Sequence, residues 1–165
     1  MEDAYLELAQ RNGWNYSNSD GRPYFMKDGN YAIPDETTSE EDKDILANII
    51  SEGSIEMAEL IKLCWNNNIK ISGPCSGIRE YHDKPPFSLH FSFMAEKVLI
   101  DPLYESLQNI FPAFNHLYRE SNGMIRYDID YYLNGKELTV DESNEIFFII
   151  KKQLQFELGN IPTRH

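Results

Sequence analysis

Residues 124–133 read MIRYDIDYYL, and residues 87–94 read FSLHFSFM. Both alternate with a period of two, the spacing of side chains along a β-strand. Ile125, Tyr127, Ile129, Tyr131 and Leu133 share one face of the first stretch; Arg126, Asp128, Asp130 and Tyr132 share the other. In the second, Phe87, Leu89, Phe91 and Phe93 oppose Ser88, His90, Ser92 and Met94. Strands that are apolar on one side and polar on the other belong to an antiparallel sheet with one face on a core and one toward water. Asn134-Gly135, directly after the longer stretch, is a strong two-residue hairpin signal. It predicts a turn into a short strand over KELTV, residues 136–140.

The flanking sequence supplies helices to cover the apolar face. Thr139 and Glu142 have capping-box spacing, and the helix they start buries Phe147, Ile150, Leu154 and Leu158. Upstream, Met57, Leu60, Ile61 and Cys64 recur at i, i+3, i+4, i+7, the stripe of an amphipathic helix. A helix before it buries Ile45, Leu46, Ile49 and Ile50, with a break at Gly53-Ser54. Ser39 and Asp42 give that earlier helix a cap, and its acidic first turn complements the helix dipole. Asn66-Asn67-Asn68 ends the second helix, and Ile69 to Ser72 reads as a short strand. LYESLQNIFPAFNHLY, residues 103–118, reads as a helix interrupted or ended near Pro112.

The N-terminal segment has its own pattern. Tyr5, Leu8 and Ala9 share a helical face before Gly13. In RPYFMKDGNYAIP, residues 22–34, Asp28-Gly29 sits between short apolar runs as a hairpin turn. The expected fold is therefore α+β: an antiparallel sheet of about three to five strands with helices packed on one face. A chain of 165 residues forms one domain. Residues 1–37 make a helix–hairpin unit that either extends the sheet or stands as an appendage, and residues 38–165 make the main core.

Net charge is −12, from 27 acids against 15 lysines and arginines. Residues 1–45 hold 11 acids against 4 bases, a balance of −7. Phosphate backbones are bound by Lys and Arg, so direct nucleic-acid binding is disfavoured and a basic partner favoured. No apolar run reaches the roughly 18–20 residues that cross a bilayer. The first residues lack the basic start and apolar centre of a signal peptide. Two cysteines are too few for a disulfide framework. A cytoplasmic location is expected.

Chemistry-bearing residues gather in ISGPCSGIREYHDKPPFSLHFSF, residues 71–93. Cys75, between Gly73-Pro74 and Ser76-Gly77, reads as a turn cysteine, with Arg79 and His82 as candidate cations to make its thiolate. Cys75, His82, His90 and Asp83 match no recognised zinc spacing, so neither metal nor cofactor is expected. Cys64 reads as a core residue. If the two alternating strands are neighbours, His90, Arg126, Asp128 and Asp130 meet on one polar face, a set suited to acid–base work. A solvated face holding an ordinary ion pair explains the same pattern.

Two functions follow. The first is a small acidic binding protein that blocks a basic nucleic-acid-handling protein. Its docking surface would be Asp20, Asp28, Asp35, Glu36, Glu40, Glu41, Asp42 and Asp44, with Trp14, Tyr16, Tyr24 and Tyr31 as anchors. In size, acidity and aromatic content the chain resembles anti-CRISPR and toxin-immunity inhibitors of bacteria and their phages. No motif carries a family assignment. The alternative is a small hydrolase or nuclease centred on His90, Asp128, Asp130 and Arg126, with Cys75 and His82 on the neighbouring loop. A third class, an accessory protein acting through homo-oligomer contacts, has no specific residue behind it.

Overall fold

A computed structural model describes residues 2–18, 23–78, 88–133, 136 and 138–161. The elements run α1 (Glu2–Asn12), β1 (Asn15–Ser17), β2 (Tyr24–Lys27), β3 (Asn30–Tyr31), α2 (Glu40–Ile50) and α3 (Ile55–Asn66). They continue β4 (Lys70–Ser76), β5 (Ser88–Glu96), α4 (Lys97–Ile110), β6 (Asn115–Ser121), β7 (Met124–Tyr132) and α5 (Val140–Asn160). The fold is α+β, with two antiparallel sheets ordered β1-β2-β3 and β4-β5-β7-β6.

The larger sheet is built on the two alternating stretches. β5 and β7 are its central strands, paired along their whole length from Ser88↔Tyr132 to Glu96↔Met124. Leu89, Phe91 and Phe93 and, across from them, Ile125, Tyr127 and Ile129 are fully buried beneath α3, α4 and α5. Phe91 packs on Phe93 with ring centroids 4.9 Å apart and edge-on against Phe147 of α5. Met57, Leu60, Ile61 and Cys64 of α3 are all inaccessible to water, and burial alone pushes the Cys64 thiol far up from its ordinary range. The α5 capping box forms in both directions between Thr139 and Glu142.

The N-terminal unit is a second, smaller body, not an extension of the main sheet. Asp28 (φ 52°) and Gly29 (φ 80°) close the β2–β3 hairpin, the pair of positive φ values that a two-residue turn of this hand requires. Leu8, Ala9, Trp14, Phe25 and Ala32 form its core together with Leu46 of α2. Ile50 and Trp65 pack against both cores and so join the two bodies.

Three elements depart from the sequence expectation. The helix read over 103–118 is α4, which ends at Ile110 near the expected break at Pro112; residues 115–118 beyond it begin strand β6, antiparallel to β7. β4 does not stop at Ser72: it continues through Gly73 and Pro74 to Ser76, with a register shift between Ser72 and Cys75. Val140 opens α5, and Leu138 makes only an isolated parallel bridge to Ile78, so the described residues of 136–140 form no strand. The Asn134-Gly135 turn lies outside the described residues. Among the described residues, no helix is long and apolar enough to cross a membrane.

Candidate functional site

All three described helices packed on the large sheet lie on one side, so its other face carries the polar positions of four strands. Register sorts them into rows. Lys70, Met94, Arg126 and Arg119 lie across one row; Ser72, Ser92, Asp128 and Leu117 across the next. Cys75, His90, Asp130 and Asn115 make the third.

The middle row is held by Asp128, whose side chain is 4% exposed. Ser92 Oγ donates to it, Arg126 Nε lies 3.1 Å from Oδ1 and an Arg119 guanidinium nitrogen 3.3 Å from Oδ2. Burial pushes the carboxyl up, but the bonds from Ser92, Arg126 and Arg119 outweigh it and hold it below the usual carboxylate range. These bonds favour the ionised carboxylate over the protonated one. Asp128 thereby fastens β5, β6 and β7 to one another. Two partners complete this network: Ser92, which the alternation places on the polar face without a role, and Arg119, which no sequence signal singles out.

The third row is different. His90 Nδ1 faces Asp130 Oδ1 at 3.9 Å, with both side chains part-exposed. The opposite ring edge faces β4: a methyl group placed on Gly73 would sit 3.3 Å from His90 Cδ2 and 3.6 Å from Nε2. Gly73 has φ +55°, a conformation that suits glycine. It therefore serves both the shift in register and the room beside the ring. Cys75, which the sequence placed in a turn, is a half-buried strand residue paired directly with His90. His82, with Arg79 and Asp83, lies outside the described residues. Thus the row brings together Cys75, His90 and Asp130, while Asp128 and Arg126 are committed to one another.

The N-terminal candidates also divide. Asp42 is buried: Arg11 reaches Oδ1 at 2.9 Å and the Asn12 amide reaches Oδ2 at 2.9 Å. The Arg11 guanidinium, above all, holds its carboxyl below the usual range, against the effect of burial. Trp14 is 6% exposed, and the Tyr16 ring packs at a tilt against Tyr5 and Phe25. Asp42 and Trp14 thus serve the fold, and Tyr16 is half spent on it. Asp28, Asp35, Glu36, Glu40, Glu41 and Asp44 are exposed. Glu40 pairs with Lys43 and Asp44 with Lys62, each at 3.0 Å. Tyr24 and Tyr31 lie side by side with centroids 6.3 Å apart, and Tyr31 and Ile33 are exposed. Asp20 lies outside the described residues.

A shallow groove beside α4 and β6 is lined by Lys97, Asp101, Tyr104, Glu105, Gln108 and Tyr118. There Tyr118 Oη donates to Asp101 at 2.5 Å, and Lys97 donates to both. These bonds raise Lys97 and hold it charged. Among the described residues, no group of three or more His, Cys, Asp and Glu is placed to hold a metal ion. Comparison with family models, curated proteins and solved structures finds no match to this chain.

Proposed function

We propose that this chain is a small acidic binding protein of the cytoplasm. It docks on a basic, nucleic-acid-handling protein and blocks it, in the manner of an anti-CRISPR or toxin-immunity inhibitor. The observation that supports this reading is the surface of residues 28–44. Six exposed acids run from the β2–β3 turn to the first turns of α2, beside the exposed Tyr31 and Ile33. Glu7 of α1 and Glu41 of α2 both act on Arg11, so the acidic character extends over α1. Of the cations beside them, Arg11 is bound to Asp42, Lys43 to Glu40 and Lys62 to Asp44.

Anchors of this kind supply contact area, and the surrounding acids supply steering and register. The partner's lysines and arginines, normally placed against phosphate, meet carboxylates instead. The test is capture from a bacterial lysate on immobilised protein, with a salt gradient for elution. It is run in parallel with a Glu40→Lys, Glu41→Lys double variant that leaves Asp42 and its ion pair untouched. The reading expects a stoichiometric basic nucleic-acid-binding protein on the native column, released by salt and absent from the variant column. Equal retention on both columns, or no retention on either, defeats it.

A further inference from the structure

We infer that Cys75, His90 and Asp130 form a reactive-thiol site on the face of the large sheet opposite the described helices, one that takes a small-molecule disulfide. This stands apart from the acidic docking surface, and neither depends on the other. The three residues sit on adjacent strands in one row, Cys75↔His90 and His90↔Asp130 being direct partners in register. Directly opposed residues on one face of an antiparallel pair have Cβ atoms about 4.5–5.5 Å apart, so thiol, imidazole and carboxylate follow one another across the strands.

The ring orientation is what a relay needs. Nδ1 is turned to Asp130, and the edge bearing Nε2 is turned to β4, where Gly73 offers no side chain to block it. Asp130 lies 3.9 Å from Nδ1, close enough to favour a charged imidazolium electrostatically. Asp128, diagonal to His90, faces Ser92, Arg119 and Arg126 and is already neutralised by them. Lys70, on the Cys75 strand, lies two rows away opposite Met94. Among the described residues, His90 and Asp130 are therefore the titratable groups in the thiol's own row. Cys64, by contrast, is sealed in the core with its thiol pushed far up.

The chemistry balances with one named co-reactant. The Cys75 thiol passes its proton to His90 Nε2, and the thiolate attacks one sulfur of a disulfide RSSR. The Cys75–S–SR bond forms as the old sulfur–sulfur bond breaks, and the expelled thiolate takes the proton from the imidazolium to leave as RSH. The protein thiol is oxidised, and half of the small disulfide is reduced.

The probe is oxidised glutathione, followed by intact mass and peptide mapping over a range of pH. The expected product is one glutathionyl group on Cys75 and none on Cys64. Attack depends on the thiolate, so the rate should rise at lower pH in the native protein than in the same chain unfolded in urea. His90→Ala should slow the reaction about tenfold at pH 7, the effect of a one-unit change in thiol acidity, and move the profile to higher pH. Asp130→Asn should do the same to a smaller extent. If His90→Ala loosens the fold, Cys64 will begin to react, and His90→Gln is read in its place. No adduct on native Cys75 overturns the proposal, as does a pH profile shared by the native, unfolded and His90-substituted proteins.

Discussion

Asp128 is a charge buried on the side of the sheet opposite the described helices, and three neighbours account for its stability there. Ser92 is its partner in register, Arg126 lies two residues along the same strand and Arg119 reaches across from β6. The folded state holds this carboxyl below its unfolded value of about 3.9. Its contribution to stability is therefore complete above that pH and is lost as acid passes through the folded value. Thermal melts between pH 2 and 7 should show Asp128→Asn losing about 1–3 kcal/mol at neutral pH, the cost of unmaking charge-assisted bonds in a buried place. The variant should also have a shallower acid slope than the parent. An unchanged slope would mean that Asp128 carries no linkage. The alternation of residues 124–133 put Asp128 on the polar face but could not separate it from Asp130, which has the same residue type and parity. What separates them is Arg119, on strand β6, which the sequence pattern does not announce. Asp42 and Trp14 teach the same thing: an acid or an aromatic looks alike in sequence whether it meets solvent or Arg11.

At the scale of elements, most helices and both central strands were legible because period and caps agreed. The edges were harder. β4 was cut short because Gly73-Pro74 reads as a stop, yet an edge strand accommodates proline and the shift in register absorbs the extra residue. β6 was hidden because His116 and Tyr118 are the inward-turning residues while Leu117 is 53% exposed, which inverts the usual alternation. His116 sits between Tyr127 Oη at 2.7 Å and the Phe111 carbonyl at 2.8 Å, so its polar atoms are satisfied inside. The real signal was Asn122-Gly123, with φ 54° and 80°, overshadowed by Asn134-Gly135 further along. Gly123 has open space around it, so Gly123→Ala tests backbone conformation alone. It should cost about 1–2 kcal/mol in urea unfolding, the price of a left-handed φ with a Cβ, and a neutral result would show that the β6–β7 turn is not of this type.

For the whole molecule, two cores joined through Ile50 and Trp65 should unfold together. Trp14 reports on the small core, and helical circular dichroism reports mainly on the large one. The two signals should follow one urea transition, and separated midpoints would show that residues 2–32 fold independently. That contact bears on function, because it sets the acidic strip of residues 28–44 on a body packed against the main core through Ile50 and Trp65. The strip itself was legible from charge alone. Which of its acids the fold consumes was not, since that depends on Arg11 and Asn12 reaching Asp42 across 30 residues of sequence. The most direct measurement is competition. The captured basic partner is loaded with labelled nucleic acid, and this protein is titrated in at fixed salt. Stoichiometric release by the native chain, with little or none by the Glu40→Lys, Glu41→Lys variant, is the predicted result. Nucleic acid that stays bound while the protein occupies its partner would contradict the account.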